Sequence, residues 1–169
     1  LGADTIIFNI PGPGVKTISL LNALPDITDP VVIDATTQPG YAGAPLVEID
    51  GLVFINGSTS GLVIKAGGST VRGLAIGNFR NNAGILLTGC DNNVIQGNYL
   101  AVDADGTTQR QNNRGLVLFN SSNNVIGGTT ATARNVISGN SSTGLDLAGT
   151  GNVIQGNFIG TNAAGTAQL

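Results

Sequence analysis

Histidine, methionine and tryptophan are absent from the chain, and cysteine occurs only once, at Cys90. Without histidine there is no Cys/His metal pattern, and one frequent general base is missing. A lone cysteine makes no internal disulfide, so Cys90 reads as a small buried apolar residue. Charge is scarce as well: charged residues are 10% of the chain, the lysines are Lys16 and Lys65 alone, and the net charge is -3. Gripping a phosphate backbone needs a basic patch, which excludes nucleic acid as a partner. No stretch approaches the roughly 18 consecutive apolar residues of a membrane span, and no basic start followed by an apolar core marks a signal peptide.

What the chain has instead is glycine, 26 of 169 residues, together with abundant asparagine and threonine and an apolar content of 41%. That is enough apolar material for the core of one domain, in a composition that favours many short strands joined by tight corners.

Internal repetition is the strongest signal. "NVIQGNYLAVDADGTT", residues 93–108, returns as "NVIQGNFIGTNAAGTA", residues 152–167, 59 residues later. Four segments align on a glycine followed by alternating apolar residues: "GLVIKAG" from Gly61, "GILLTGC" from Gly84, "GLVLFNS" from Gly115 and "GLDLAGT" from Gly144. A second family reads "TVRGLAIGN" from Thr70, then "NVIQGNYL", "NVIGG", "NVISGN" and "NVIQGNFI" from Asn93, Asn124, Asn135 and Asn152. Pairs such as Leu62/Ile64, Ile85/Leu87, Leu116/Leu118 and Leu145/Leu147 have the period of two of a strand, and no helical window survives. A strand of four to six residues cannot bury its face alone. A stack of equivalent units can, and equivalent strands running in one direction must pair in parallel, with right-handed connections.

Residues 152–166, "NVIQGNFIGTNAAGT", with "GLDLAGTGNVIQGN" before them, resemble the repeat of right-handed parallel β-helix proteins, and more narrowly the Asn/Gly-rich helices of large secreted or cell-surface bacterial proteins. Residues 1–50 resemble the opening coils of such proteins, and residues 51–169 the regular coils of the same solenoid. The expected fold is all-β, a single-stranded solenoid of roughly six to eight coils. The second copy stops at Leu169, where the first leads on into the strand at Gly115. This predicts a fragment of a longer repetitive protein, uncapped at its C-terminal end, whose open edge associates with other chains. The resemblance implies a secreted or surface location. It leaves activity open, because the scaffold carries lyases, hydrolases, epimerases, tailspikes, adhesins and passive stalks.

The repeat accounts for several residues without chemistry. Asn93, Asn124 and Asn152 share one position and Asn98, Asn140 and Asn157 another; stacked amides there would form ladders that satisfy corner backbone groups. Gly97, Gly139 and Gly156 supply positive φ at bends. On the outward face, Val63, Leu86, Val117 and Asp146 form one column, and Lys65, Thr88, Phe119 and Ala148 the next. So many outward apolar residues predict either an apolar strip for a partner or a cover, for which the insertion Ala101–Arg114 is the favoured candidate.

Candidate chemical groups are Asp91, Asp103, Asp105 and Asp146, with Arg72, Arg80, Arg110, Arg114 and Arg134. A polysaccharide lyase or hydrolase needs clustered carboxylates on adjacent coils, and these are scattered. Asp103 and Asp105 in "DADG" are the only candidates for metal binding. The second copy has Asn162 and Ala164 in their place, and the rest of a calcium loop is missing, so the pair reads as a turn. No cofactor is expected. The sequence therefore supports a non-enzymatic structural or adhesive segment with polysaccharide, protein or self-association partners. The alternative is a polysaccharide-active enzyme, or part of one. Ice binding would need regular Thr-x-Thr rows, which are not visible.

Overall fold

The computed structural model describes residues 2–54 and 59–169. In chain order the strands are β1 (Asp4–Ile7), β2 (Lys16–Ser19), β3 (Val31–Asp34), β4 (Val47–Asp50), β5 (Leu62–Ile64), β6 (Thr70–Arg72), β7 (Leu74–Gly77) and β8 (Ala83–Thr88). They continue as β9 (Val94–Gln96), β10 (Tyr99–Leu100), β11 (Arg114–Phe119), β12 (Val125–Gly127), β13 (Val136–Ile137), β14 (Thr143–Ala148), β15 (Val153–Gln155) and β16 (Phe158–Ile159). They form three sheets: β1-β3-β6-β9-β12-β15, β2-β4-β7-β10-β13-β16 and β5-β8-β11-β14. Every strand-to-strand pairing is parallel. From β3 to β14 the chain visits the three sheets in turn, so each strand pairs with the one laid down a circuit earlier.

Register puts like beside like. Ile33, Val71, Ile95, Ile126 and Ile154 make one column of the first sheet, and Ile49, Ile76, Leu100, Ile137 and Ile159 one of the second. The third sheet contributes Leu62, Ile85, Leu116 and Leu145, then Ile64, Leu87, Leu118 and Leu147, which are the alternating residues of the sequence repeat. Most of these side chains meet in one continuous core between the sheets. Each buried Leu or Ile contributes about 1.5–3 kcal/mol, so a three-residue strand is held by its stack and not by itself.

Two asparagine ladders line the corners. In the first, Asn93 Oδ1 accepts from Ser69 N, Asn124 Oδ1 from both Asn93 N and Asn93 Nδ2, and Asn152 Oδ1 from Asn124 N and Nδ2, at 2.8–3.1 Å. The second runs through Asn98, Asn135 and Asn157: Asn135 Oδ1 accepts from Asn98 N and Nδ2, and Asn157 Oδ1 from Asn135 N and Nδ2. Asn140 is not its middle member. It stands one corner further on and makes only 3.4–3.5 Å contacts with Ser138 O and Leu100 O. The string Asn-Val-Ile occurs at both corners, so "NVISGN" enters β13 of the second sheet, whereas "NVIGG" enters β12 of the first. Gly97, Gly139 and Gly156 do have positive φ, between 65° and 72°.

The insertion Ala101–Arg114 does not cover the third sheet. Val102 and Gln109 bridge antiparallel, Asp103 N donates to Thr108 O and Arg110 N to Ala101 O, giving a hairpin. It lies on the outer face of the second sheet, where Val102 packs with Ala75, Tyr99 and Val136. An apolar patch on β7, β10 and β13 and two acids on β4 draw it there.

Candidate functional site

Three places on the surface carry most of the residues singled out above; outside them, Asp91 accepts from Ser122 N, Arg134 donates to Gly156 O and lies over the Phe158 ring, and Arg80 is exposed. On the third sheet, Val63, Leu86, Val117 and Asp146 are aligned by register, with Thr88, Phe119 and Ala148 in the next position. Val63 and Leu86 are half-buried, Val117 is 7% exposed and Phe119 is 56% exposed. Asp146 is exposed and stands 3.9 Å from the Arg114 guanidinium across the strand pair, so it tempers the charge of that edge.

On the second sheet, Arg110 crosses Gly77 and reaches three carboxylates: Asp103 at 3.2 Å through Nε, Glu48 at 3.3 Å through Nη2 and Asp50 at 3.3 Å through Nη1. Glu48, 2% exposed, also accepts from the Thr17 hydroxyl and from Ala104 N. Burial pushes the Glu48 carboxyl above its ordinary range, and the neighbouring Asp103 pushes it further. Asp103 moves the other way, held down by its hydrogen bond with Glu48, by Ala104 N and by Arg110. Of the two, Asp103 is therefore the one that ionises first as pH rises and Glu48 the one that holds its proton longer.

Asp105, two residues on, serves the turn. Its carboxylate accepts from Thr107 N, Thr108 N and the Thr108 hydroxyl, which pull its pKa down to about 2. Asp103 and Asp105 thus point their oxygens at different partners. Among the described residues no group of three or more Asp, Glu, Cys or His side chains is arranged to hold a metal ion. Nor is any described helix long and apolar enough to cross a membrane.

The third place is a cleft of about 340 Å³ on the first sheet. Its floor is Arg72 and Gln96, register partners at the ends of β6 and β9. At this corner the chain turns tightly after β6 and β9, but runs out into longer loops after β3 and β12. The loop 35–46 brings Thr36 and Tyr41 to one wall, and the loop 128–134 brings Thr130 and Thr132 to the other. Gly97 makes the second approach possible, since a Cβ there would meet Thr132 O at 2.7 Å. Gln38, buried, anchors the first loop by exchanging two hydrogen bonds with the Ile10 backbone.

Arg72 is paired with Asp34 at 2.5 Å, and the Thr36 hydroxyl donates to the same carboxylate. Burial disfavours ionisation of Asp34, yet the bond and charge of Arg72 and the Thr36 hydroxyl outweigh it and hold its pKa below the usual carboxylate range. Gln96 donates through Nε2 to Gly127 O. The Tyr41 hydroxyl is buried and has no hydrogen-bond partner among the described residues.

Arg72 was legible as a scattered cation and nothing more. Glu48, Asp50, Tyr41, Gln96 and the two threonines gave no local signal, because the pairing of β4, β6 and β9 with strands a circuit away is what gathers them. A scan against protein-family models finds no match for this chain, and neither does a search among curated proteins.

Proposed function

We propose that the chain is a segment of right-handed parallel β-helix, of about six turns, that serves a secreted or cell-surface protein as a rigid, non-enzymatic structural and adhesive element. Six strands in each of the first two sheets support that number of turns, and the general rule for parallel crossovers supports the hand. One observation carries the non-enzymatic reading. Where acids do gather, at Glu48, Asp50 and Asp103, a single guanidinium occupies the space between them and a hairpin holds it there. An acid and a base so engaged stiffen the scaffold and are not free to flank a glycosidic bond. The asparagine ladders support the rigid part of the reading, since each fixes a corner to the corners before and after it. The apolar strip of Val63, Leu86, Val117 and Phe119 suits contact with a protein or a second copy.

The test is to incubate the chain with a panel of neutral and acidic polysaccharides, measuring both retention on the immobilised glycans and the release of reducing ends or unsaturated uronates. Retention without cleavage is expected. Cleavage above a heat-denatured control would overturn this reading and establish the polysaccharide-active alternative.

A further inference from the structure

We infer that the cleft between the loops 35–46 and 128–134 is a binding site for an uncharged saccharide. This deepens the adhesive reading above, on which it rests, by naming the site and the ligand class.

Charge decides the class first. Among the described residues Arg72 is the only cation on the cleft wall, and Asp34 already neutralises it. A phosphate, a sulfate or a uronate entering here would meet a spent guanidinium backed by a carboxylate, so an anion gains little. Polarity decides next. Apart from the small Ala133 the lining is Thr36, Tyr41, Arg72, Gln96, Thr130 and Thr132, which offers no aliphatic pocket to a lipid or an apolar peptide. Its groups are engaged but not exhausted: Thr36 donates to Asp34, Thr130 and Thr132 bond each other and Gln96 donates to Gly127 O, yet each hydroxyl keeps acceptor capacity and Gln96 a second amide proton, a mixture that matches the vicinal hydroxyls of a sugar ring.

The second, independent observation is the Tyr41 hydroxyl. A buried hydroxyl without a partner is costly; among the described residues Tyr41 shares that condition with Ser138 Oγ and Asn140 Oδ1, and of the three only Tyr41 belongs to this cleft. Tyr41 is one of the lining residues, and a ligand hydroxyl pressed into the loop wall would supply the partner that its shielded oxygen lacks. The volume lies at the small end of the roughly 300–1,000 Å³ range of small-molecule sites, so it takes one or two sugar rings of a longer glycan. Anchored by Gln38 and braced against Gly97, both walls are set before the ligand arrives.

The experiment is an NMR titration of the intact chain with neutral gluco-, manno- and xylo-oligosaccharides and, separately, with oligo-uronates. It is repeated on Tyr41→Phe, Gln96→Ala and, as a control, Leu21→Ala, an exposed residue outside the cleft and the strip, each first shown folded by circular dichroism. A neutral oligosaccharide is expected to shift the amides of Thr36, Tyr41, Gln96 and Thr132. Tyr41→Phe and Gln96→Ala should each weaken binding about tenfold while Leu21→Ala leaves it unchanged. Equal affinity in all variants, or shifts confined to the third-sheet strip, would overturn the cleft and leave the adhesive reading standing. Preference for uronates would overturn the ligand class. No binding of any saccharide would overturn the site, while the scaffold reading would still be judged by the cleavage assay.

Discussion

Ala163 N donates to Gly106 O at 2.8 Å, and through this bond the hairpin of the second copy sits directly on the hairpin of the first. The two are built alike: Asn162 N donates to Ala167 O as Asp103 N does to Thr108 O, and Leu169 N to Gly160 O as Arg110 N does to Ala101 O. Repetition in the sequence is repetition of a stacked turn. Gly106 is held at a φ of +74°, and a Cβ there would lie 2.5 Å from the Ala163 Cβ. Gly106→Ala should therefore cost about 2–3 kcal/mol in urea unfolding, from both the strained backbone and the clash. Adding Ala163→Gly should recover only the clash. A variant as stable as the parent would show that the hairpins do not stack.

The ladders give a sharper contrast. Asn135 is fully buried and bonds Asn98 on one side and Asn157 on the other, whereas Asn140 makes only long contacts. Asn135→Ala strips the acceptor from Asn98 N and one of two acceptors from Asn98 Nδ2, which keeps Val71 O, so the loss is about 1–3 kcal/mol for the backbone N–H left buried and unsatisfied. Asn140→Ala should cost under about 1 kcal/mol. Equal losses in thermal or urea unfolding would contradict the ladder assignment.

That pair of asparagines also shows what could be read from the sequence. Alternation in "GLVIK", "GILLT", "GLVLF" and "GLDLA" marks strands, and repetition at a distance implies parallel stacking, because both signals are local strings that recur. The same strings mislead at Asn135 and Asn140. Two different corners use Asn-Val-Ile, and only hydrogen bonding across circuits tells them apart. The hairpin Ala101–Arg114 was visible as an insertion but not its destination, which depends on Glu48 and Asp50 more than fifty residues earlier. The cleft is harder still, for Tyr41, Arg72, Gln96 and Thr132 belong to four different circuits and become neighbours only when the sheets are wound.

Asp105 offers a titration with a built-in comparison, since Ala164 stands at its place in the second hairpin. Its folded pKa, about 2, lies below the ordinary 3.8. A depressed acid contributes stability that is fully present above its unfolded value and is lost as pH falls through the folded one. The contribution is thus complete above 3.8 and fades between 3.8 and about 2. Asp105→Ala should flatten the loss of stability across that window, by a small amount because the group is exposed. Urea midpoints at pH 5 and pH 2 check this; an unchanged difference between them would refute it.

Arg110 tests whether the acidic cluster is held by its cation. With Arg110→Leu, Glu48, Asp50 and Asp103 lose their common counter-charge, and the fold should lose about 2–4 kcal/mol at neutral pH. The sign with pH follows from Glu48. Its folded pKa is already raised, so its share of stability is fully present below the unfolded value, 4.5, and is lost as pH rises through the folded one. Removing the cation raises Glu48 further and takes from Asp103 one of the groups that hold it down, so the deficit of the variant should be larger at pH 7 than at pH 4. The second hairpin suggests the compensation, because it carries Asn162 and Leu169 where the first has Asp103 and Arg110. Asp103→Asn added to Arg110→Leu should restore part of the loss, giving a favourable coupling of about 1 kcal/mol in a double-mutant cycle. Additive losses with no pH dependence would mean that Arg110 acts through packing over Gly77 and not through its charge.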